Sequence, residues 1–406
     1  MKKQQKNIGY VVNEYPVASE TFITTEMRAL QQLGMCIKPF TFKIAQGPTH
    51  PGDEEFIEQL KNPVQVSHVR ILKLLPKLLF LLPFSGWKGV LFALRQKGIR
   101  SRSLLLQSIK LACLLDDAEC GHVHAHFAWV ATSSAIVAAR LLGIGISFTG
   151  HGSDIYKTPC DLPLKLQNAD FVVAVCKRMQ NDMRKLAPTA NVKVIPCGVD
   201  TDYFQPRKKR DCDRHHFLYL GRISETKGVD HLIRAMTHIP PERRPHIDIA
   251  GDGPLLDKFQ TLSARLGVQH WFHFIGPVTR DWVRDNAAAY KAMVLPFCRS
   301  DNGQMDTGPL VLKEAMALKV PIITTDIMTQ SEFLDDSCAS IVPSANPEAL
   351  AACIQAAMAG RGEFNELRIA GRVERAYIKV QQQLSAVTQA RSLKKLILKT
   401  GVHYEG

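Results

Sequence analysis

The chain has 406 residues, of which 46% are hydrophobic and 22% charged. This is the make-up of a globular protein able to bury full-sized cores, and at roughly 100–200 residues per domain two domains are expected. The formal net charge of +13 favours anionic partners: phosphorylated substrates, an anionic membrane face or nucleic acid. None of the ten cysteines forms a CxxC pair, and several sit in apolar runs such as FVVAVC. They are expected to be reduced, core-filling thiols of a cytosolic protein. MKKQQKNIGYVV carries no long apolar run or cleavage site, so no signal peptide is expected. No stretch reaches about 18 uninterrupted apolar residues, so no transmembrane helix is expected.

In chain order, IGYVV (8–12) predicts a strand, and a helical pattern follows from about Glu20 to Leu33. KPFTF predicts the next strand. Residues 71–94, ILKLLPKLLFLLPFSGWKGVLFAL, are broken by Pro76, Pro83 and Gly86. From Arg70 to Lys110 there are nine Lys or Arg and no Asp or Glu. Leucines, Trp87 and cations together suit a segment lying in an anionic membrane interface, or equally a helical hairpin with a wet basic side. HVHAHF, ISFTG, FVVAVC and VKVIP predict further strands, with helical segments such as Ala131 to Leu142 between several of them. Short apolar strands alternating with helices imply a buried parallel sheet.

PCGVDTDYFQPRKKRDCDRHH (196–216) has the proline, glycine and charge of a linker. The alternation then restarts with FLYLG, IDIAG, WFHFIG, MVLPF, PIITT and ASIVP. Two doubly wound α/β domains are expected: residues 1–198, a linker at 199–215, residues 216–372, and a basic helical segment at 373–406. In such sheets ligands bind beyond the carboxyl ends of the strands, so a cleft between two domains is the default site.

Three stretches of the second half follow strands. In GRISETKG (221–228), Arg222 and Lys227 leave a strand end beside a helix start, where cations and backbone N–H groups suit a phosphate. In GDGP, Gly251 and Gly253 permit tight turning and close approach of a ligand, without the GxGxxG of a dinucleotide site. SDNGQMDTGPLVLKEAMALKVPIITT (300–325) runs from a polar loop through Asp306 and Gly308-Pro309 into a helix carrying Glu314. One acid near the helix start and another two turns on can read two polyols on one ligand. Pro309 suits a first helical turn, and free N–H groups there can hold a phosphate or sugar oxygen.

These motifs, in this order, resemble family 4 of the retaining, two-Rossmann-domain (GT-B) glycosyltransferases. The resemblance rests on Asp306-x7-Glu314 in DTGPLVLKEAMA, with GR…KG, G-x-G, FIGPV and P-[IV]-[IV]-x-T around it. SETF, HAHFA, FTGHGSDIY and PCGVDTDYF resemble the subgroup building bacterial exopolysaccharides, colanic-acid-type enzymes included. The resemblance implies a doubly wound α/β fold whose C-terminal helix returns to the N-terminal domain. It implies that Arg222 and Lys227 bind a nucleotide-sugar's diphosphate and that Glu314 takes the ribose. Asp306 would take the donor sugar, with the backbone of Gly308, Pro309 and Leu310 nearby. His126 would be the active-site histidine, with His151 and Asp154 lining the cleft, and the loop from Glu14 through Ser19 and Glu20 to Thr21 would close over the donor and help meet the acceptor. The implied reaction is retaining hexosyl transfer from a UDP- or GDP-sugar to a lipid-linked or polysaccharide acceptor at the cytoplasmic membrane face, with no metal, no cofactor and no nucleic acid. Where the family usually has Glu, this chain has Asp306, one methylene shorter; Thr307 and Lys319 replace common glycines, and Thr329-Gln330-Ser331 replaces a Gly-rich turn before Glu332.

Two other classes fit parts of the sequence. His122, His124 and His126 alternate, so all three face one side of a strand, as in some metal-dependent hydrolases. The departures at Asp306, Thr307 and Lys319 suit a sugar-nucleotide-binding protein without turnover. DCD (211–213) has the D-x-D form but lies in the charged linker.

Overall fold

The computed structural model describes residues 6–17, 20–45, 55–58, 64–66, 86–206, 216–327 and 332–400. They form two compact units, residues 1–197 with 386–406, and residues 198–385. Ser19, the stretch 70–85, the DCD triplet and Thr329-Gln330-Ser331 lie outside the described residues.

The first unit is built on seven strands: β1 (Asn7–Tyr15), β2 (Ile37–Ile44), β3 (Val64–Gln65), β4 (Cys120–His126), β5 (Gly145–Gly150), β6 (Phe171–Ala174) and β7 (Val192–Val194). Their order is β3-β2-β1-β4-β5-β6-β7, and all pairs are parallel. β3 has only two residues, too few for any apolar run to announce it. All seven residues of β4 are buried, because helices cover both faces of a parallel sheet. The covering helices are α1 (Thr21–Gln32), α2 (Trp87–Arg95), α3 (Ser101–Asp117), α4 (Val130–Leu142), α5 (Leu162–Asn168) and α6 (Lys177–Leu186). Helix α4 buries ten of its thirteen residues and ends on Gly143 at φ 68°, a left-handed C-cap. The C-terminal helix Ala386–Lys399 belongs to this unit: Ala390, Leu393 and Ile397 share a core with Ile23, Met27 and Leu30 of α1.

The second unit has six parallel strands, β8 (His216–Leu220), β9 (His246–Ala250), β10 (Phe272–Gly276), β11 (Ala292–Leu295), β12 (Ile322–Thr325) and β13 (Ser340–Val342), in the order β10-β9-β8-β11-β12-β13. Its helices are α7 (Val229–Thr237), α8 (Leu256–Arg265), α9 (Arg280–Asn286), α10 (Leu310–Ala317), α11 (Pro347–Ala359) and α12 (Glu366–Gln383); the C-terminal helix is then α13. Two boundaries differ from expectation. Residues 199–206 are packed rather than linking: Val199 and Phe204 lie in this unit's core, under the Arg280 guanidinium, 5.2 Å above the Phe204 ring. The C-terminal segment expected from 373 is two pieces. Helix α12 stays with the second unit through Gln383, and the chain passes to the first unit between Ser385 and Ala386.

Candidate active site

In the second sheet, β8 and β11 are neighbours, with β9 and β10 on one side and β12 and β13 on the other. At such a switch point the loops leaving adjacent strands diverge and open a crevice at the carboxyl edge. The loop after β8 carries Arg222 and Lys227; the loop after β11 carries Asp306. Cys298 ties the two together, its N–H donating to Thr226 O at 3.0 Å and its thiol to Glu225 O at 2.9 Å. Arg222 is exposed, with its carbonyl fixed by Tyr219 Oη at 3.1 Å. Lys227 lies 4.8 Å above the Phe297 ring and donates to Asp306 Oδ2 at 2.5 Å. Asp306 Oδ1 accepts from Gly308 N at 3.3 Å. The structure therefore joins two predicted residues, Lys227 and Asp306, with Arg222 on the same loop as Lys227, and the carboxylate expected to meet a sugar is engaged with the lysine expected to hold phosphate.

Helix α10 begins just after Pro309, with no side-chain cap and no acid in its first turn. Pro309 is the N-cap and has no N–H, so Leu310 begins the backbone donors of the helix start. Glu314 stands one turn into α10, not two, because residues 306–309 are not helical. Burial raises its carboxyl above the ordinary range and the Arg280 charge opposes that. Gly251 and Gly253 have a reason beyond the ligand approach expected of them. A Cβ on Gly251, whose φ is 144°, would stand 2.0 Å from Gly221 O, and one on Gly253 would stand 2.2 Å from Ile223 O. The glycines admit the neighbouring backbone of the Arg222 turn, which is sealed to theirs by Ile223 N donating to Asp252 O at 2.8 Å.

The first sheet has the same kind of switch point between β1 and β4. His126 closes β4 and is 1% exposed. Its Nδ1 lies 2.9 Å from His151 Nε2, and its Nε2 lies 3.2 Å from Glu26 Oε1, an ion-pair distance without hydrogen-bond alignment. Both ring nitrogens thus face protein groups, so the predicted contact from His126 to a donor sugar has no ring atom left to make it. His151, only half-buried, follows β5 with its ring between Phe22 and Phe127 at centroid distances of 4.4 and 4.6 Å. Asp154 is fully buried and accepts from Ala128 N at 2.7 Å, Gly152 N at 2.8 Å and His151 N at 3.0 Å. Its role is to clamp the β4 and β5 loops. Lys165 joins that clamp, donating to Ala128 O at 2.6 Å, and burial lowers its amine to about 8. Glu14 pairs with Lys43 at 3.0 Å. Thr21 begins α1, and Glu20 just before it is pushed up to about 7 by burial, then by the charges of Glu14 and Asp154.

The other two histidines are consumed inside the strand. Thr400 Oγ1 donates to Ile397 O at 2.7 Å, so it accepts from His122 Nδ1–H at 3.0 Å. Counting hydrogens onward, Ser147 Oγ donates to His122 Nε2 at 2.7 Å and accepts from His124 Nδ1 at 2.7 Å, and Thr149 Oγ1 donates to His124 Nε2 at 3.0 Å. Burial drives both imidazoles down to about 3, so both are neutral. The three-histidine metal set is therefore not formed. Glu26, His124 and His126 do bring ligand atoms within 4.8 Å of one another, but a cation there would displace the bonds from Thr149 and from Tyr10 Oη, which donates to Glu26 at 2.6 Å. Glu26 itself was not among the predicted residues. A helical projection of TFITTEMRALQQ signals it, since it stands on the buried face with Ile23, Met27 and Leu30.

Comparison with known proteins agrees with this architecture. Residues 20–203 match the model of Glycosyltransferase Family 4, and residues 200–373 match that of Glycosyl transferases group 1. The TuaC protein of Bacillus subtilis, named for teichuronic acid biosynthesis, is 26% identical over 95% of this chain and 96% of its own. The WcaL protein of Escherichia coli K12, named for colanic acid biosynthesis, is 23% identical over 96% of this chain and 99% of its own. The crystal structure of Anabaena HepE with UDP superposes with a TM-score of 0.71 at 14% identity, covering 97% of this chain and 100% of that one, which shows a shared GT-B fold. With a family 4 domain followed by a group 1 domain, each on its own parallel sheet, the chain belongs to the family 4-type glycosyltransferases.

Proposed function

We propose that this glycosyltransferase moves a hexose from a UDP- or GDP-sugar to a lipid-linked or polysaccharide acceptor, with retention and without a metal ion, during cell-surface polysaccharide synthesis. The observation that carries the reading is the cation pair at the second unit's switch point, Arg222 exposed and Lys227 only 2.5 Å from Asp306. As the diphosphate leaves C1, negative charge grows on its oxygens; Arg222, Lys227 and the N–H groups opening α10 are suited to stabilise it. A diphosphate would draw Lys227 from Asp306 and free that carboxylate for sugar hydroxyls. Glu314 would take the ribose hydroxyls. In retention by same-face attack, the departing phosphate takes the acceptor's proton. The names of TuaC and WcaL support a cell-surface polysaccharide as destination, and HepE structures with UDP and with UDP-glucose support the donor class.

The test is turnover of a panel of UDP- and GDP-sugars with membrane extract, with metal chelated. Arg222→Ala and Lys227→Ala should each lower the rate by about 10²–10³ while the protein stays folded. Near-normal rates in both variants would refute the assignment. Donor binding without turnover by the unaltered chain would favour a binding protein, the reading that the engaged Asp306 carboxylate also fits.

A further inference from the structure

We propose that the first unit carries a second binding site, for a phosphoryl group on a small organic body, in a hollow at the amino edge of its sheet. This site is separate from the donor site proposed for the second unit and does not depend on it.

The hollow has a volume of about 590 Å³, within the range of ligand pockets. Every residue that lines it belongs to the first unit. It opens where β5, β6 and β7 begin, and the ends of α4 and α13 complete its wall. All strands of a parallel sheet run one way, so this edge is opposite the one that carries His126 and His151. The six residues of β5 span the distance between the two edges, about 20 Å of extended chain.

Three cations from three elements reach the hollow: Arg140 from the last turn of α4, Lys193 from β7 and Lys399 from the last turn of α13. One acid lines it, Asp170, and both of its oxygens are taken. Oδ2 accepts from Ile146 N at 2.8 Å, and Oδ1 lies 3.3 Å from Arg140 Nη2. The same Nη2 donates to Asn168 O at 2.8 Å. One corner of the guanidinium is thus fixed, while Nε and Nη1 keep no partner among the described residues. Lys193 and Lys399 have no anionic partner among the described residues either. Helix dipoles favour basic residues in last turns. That accounts for Arg140 and Lys399 being cations, but not for the hollow between them or for Lys193 on a strand. Gathered cations without counter-charges repel, and a phosphoryl group offers each of them a charge-assisted bond.

The rest of the lining suits a body behind the phosphate. Ile144 and Leu396 give it an apolar side, and both are only half-buried. Thr400 lies at the lining, with Oγ1 bonded to His122 Nδ1 at 3.0 Å. Gly145 makes room for that pair, since a Cβ on it would stand 2.3 Å from His122 Nδ1 and 2.9 Å from Thr400 Oγ1. Helix α2, which carries the exposed Trp87, closes on the stem of Arg140: a Cβ on Gly89 would stand 3.2 Å from Arg140 Cβ. A phosphoryl group here could therefore be brought by a soluble sugar phosphate or by a phospholipid headgroup.

The test is calorimetry on the full chain carrying Arg222→Ala and Lys227→Ala, so that the second unit's cations take no part. Glucose 1-phosphate probes the soluble source, and monomeric dihexanoylphosphatidylglycerol probes the headgroup. One of them should bind once per chain with a Kd of about 1 mM or tighter, and the tighter of the two names the source. Adding Lys193→Ala with Lys399→Ala should weaken that binding about tenfold or more. The melting temperature should hold, because both side chains are exposed. In 15N-histidine NMR the His122 ring should shift on binding, through its bond to Thr400, and the shift should vanish in the lysine variants. No saturable binding of either probe would overturn the proposal, as would binding that the lysine variants leave unchanged. Binding that appears only after Tyr404→Ala with Glu405→Ala would overturn it in favour of the chain's own last residues as the occupant.

Discussion

Lys319 occupies a backbone position suited to glycine. Its φ is 56°, the left-handed residue ending α10, where Val320 N donates to Ala315 O at 2.9 Å and Lys319 N to Met316 O at 3.3 Å in a Schellman pattern. The left-handed conformation costs a side-chain-bearing residue about 1–2 kcal/mol. Lys319 offsets this through Glu374, 2.6 Å from its Nζ, and through the Tyr377 ring, 4.3 Å away. Lys319→Gly should therefore change stability by under about 1 kcal/mol, whereas Lys319→Ala, which keeps the strain and loses both contacts, should cost about 1 kcal/mol. Chemical denaturation of the two variants checks this. Glu20 gives a pH dependence. Its carboxyl is raised from 4.5 to about 7, so between those values the folded chain holds a proton that the unfolded chain has released. Stability then falls as pH rises through the window, and the loss is complete above about 7. Glu20→Gln should match the parent near pH 4.5 and exceed it by about 1–2 kcal/mol at pH 8, a partial burial discounted for solvent screening. Melting temperatures across that range test the sign; a gain at low pH would contradict it.

Strand β4 shows what a sequence does and does not disclose about an element. Alternation puts His122, His124 and His126 on one side, and it is legible in HVHAHF; so were the other expected strands, since a parallel sheet covered on both faces demands unbroken apolar runs. The partners of the histidines were not legible. Ser147 and Thr149 come from β5, Glu26 from α1 and Thr400 from beyond α13, and no local pattern reports a contact across such separations. For the same reason the place of His126 at the end of the strand was legible but its full enclosure was not. His122→Ala, which leaves a cavity and removes one hydrogen bond each from Ser147 and Thr400, should cost about 2–4 kcal/mol while the UDP binding proposed for the other unit is unchanged. The GDG turn is the reverse case. Its glycines were legible, their reason was not, and Gly253→Ala should force the Ile223 backbone and its neighbour Arg222 to move, at about 1–3 kcal/mol. Unlike His122→Ala, it should weaken UDP binding, which calorimetry on both variants would separate.

At the scale of the whole molecule, a net charge of +13 on 406 residues favours anionic partners, an anionic membrane face among them. Among the described residues, no helix is long and apolar enough to cross a membrane. Helices α2 and α3 instead present apolar and basic groups side by side. Trp87, Leu94 and Leu106 are 51%, 61% and 48% exposed, with Lys88, Arg95, Lys97, Arg100 and Arg102 exposed around them. A large ring and leucines that enter the headgroup layer, ringed by cations that stay outside it, are the ingredients of interfacial binding. Each cation near an anionic surface contributes about 1 kcal/mol, falling off within a Debye length of about 10 Å at 0.1 M salt. The chain should therefore sediment with phosphatidylglycerol vesicles and not with phosphatidylcholine ones, and release as salt rises. Lys88→Glu with Arg95→Glu should weaken that binding at least tenfold at low salt, while Trp87→Ala with Leu94→Ala should weaken it at every salt concentration. Hydrolysis of a soluble donor should be unaffected in both, since Arg222 and Lys227, the cations proposed to hold the donor, lie in the second unit. Equal binding to neutral and anionic vesicles would leave the charge of this face without a membrane role.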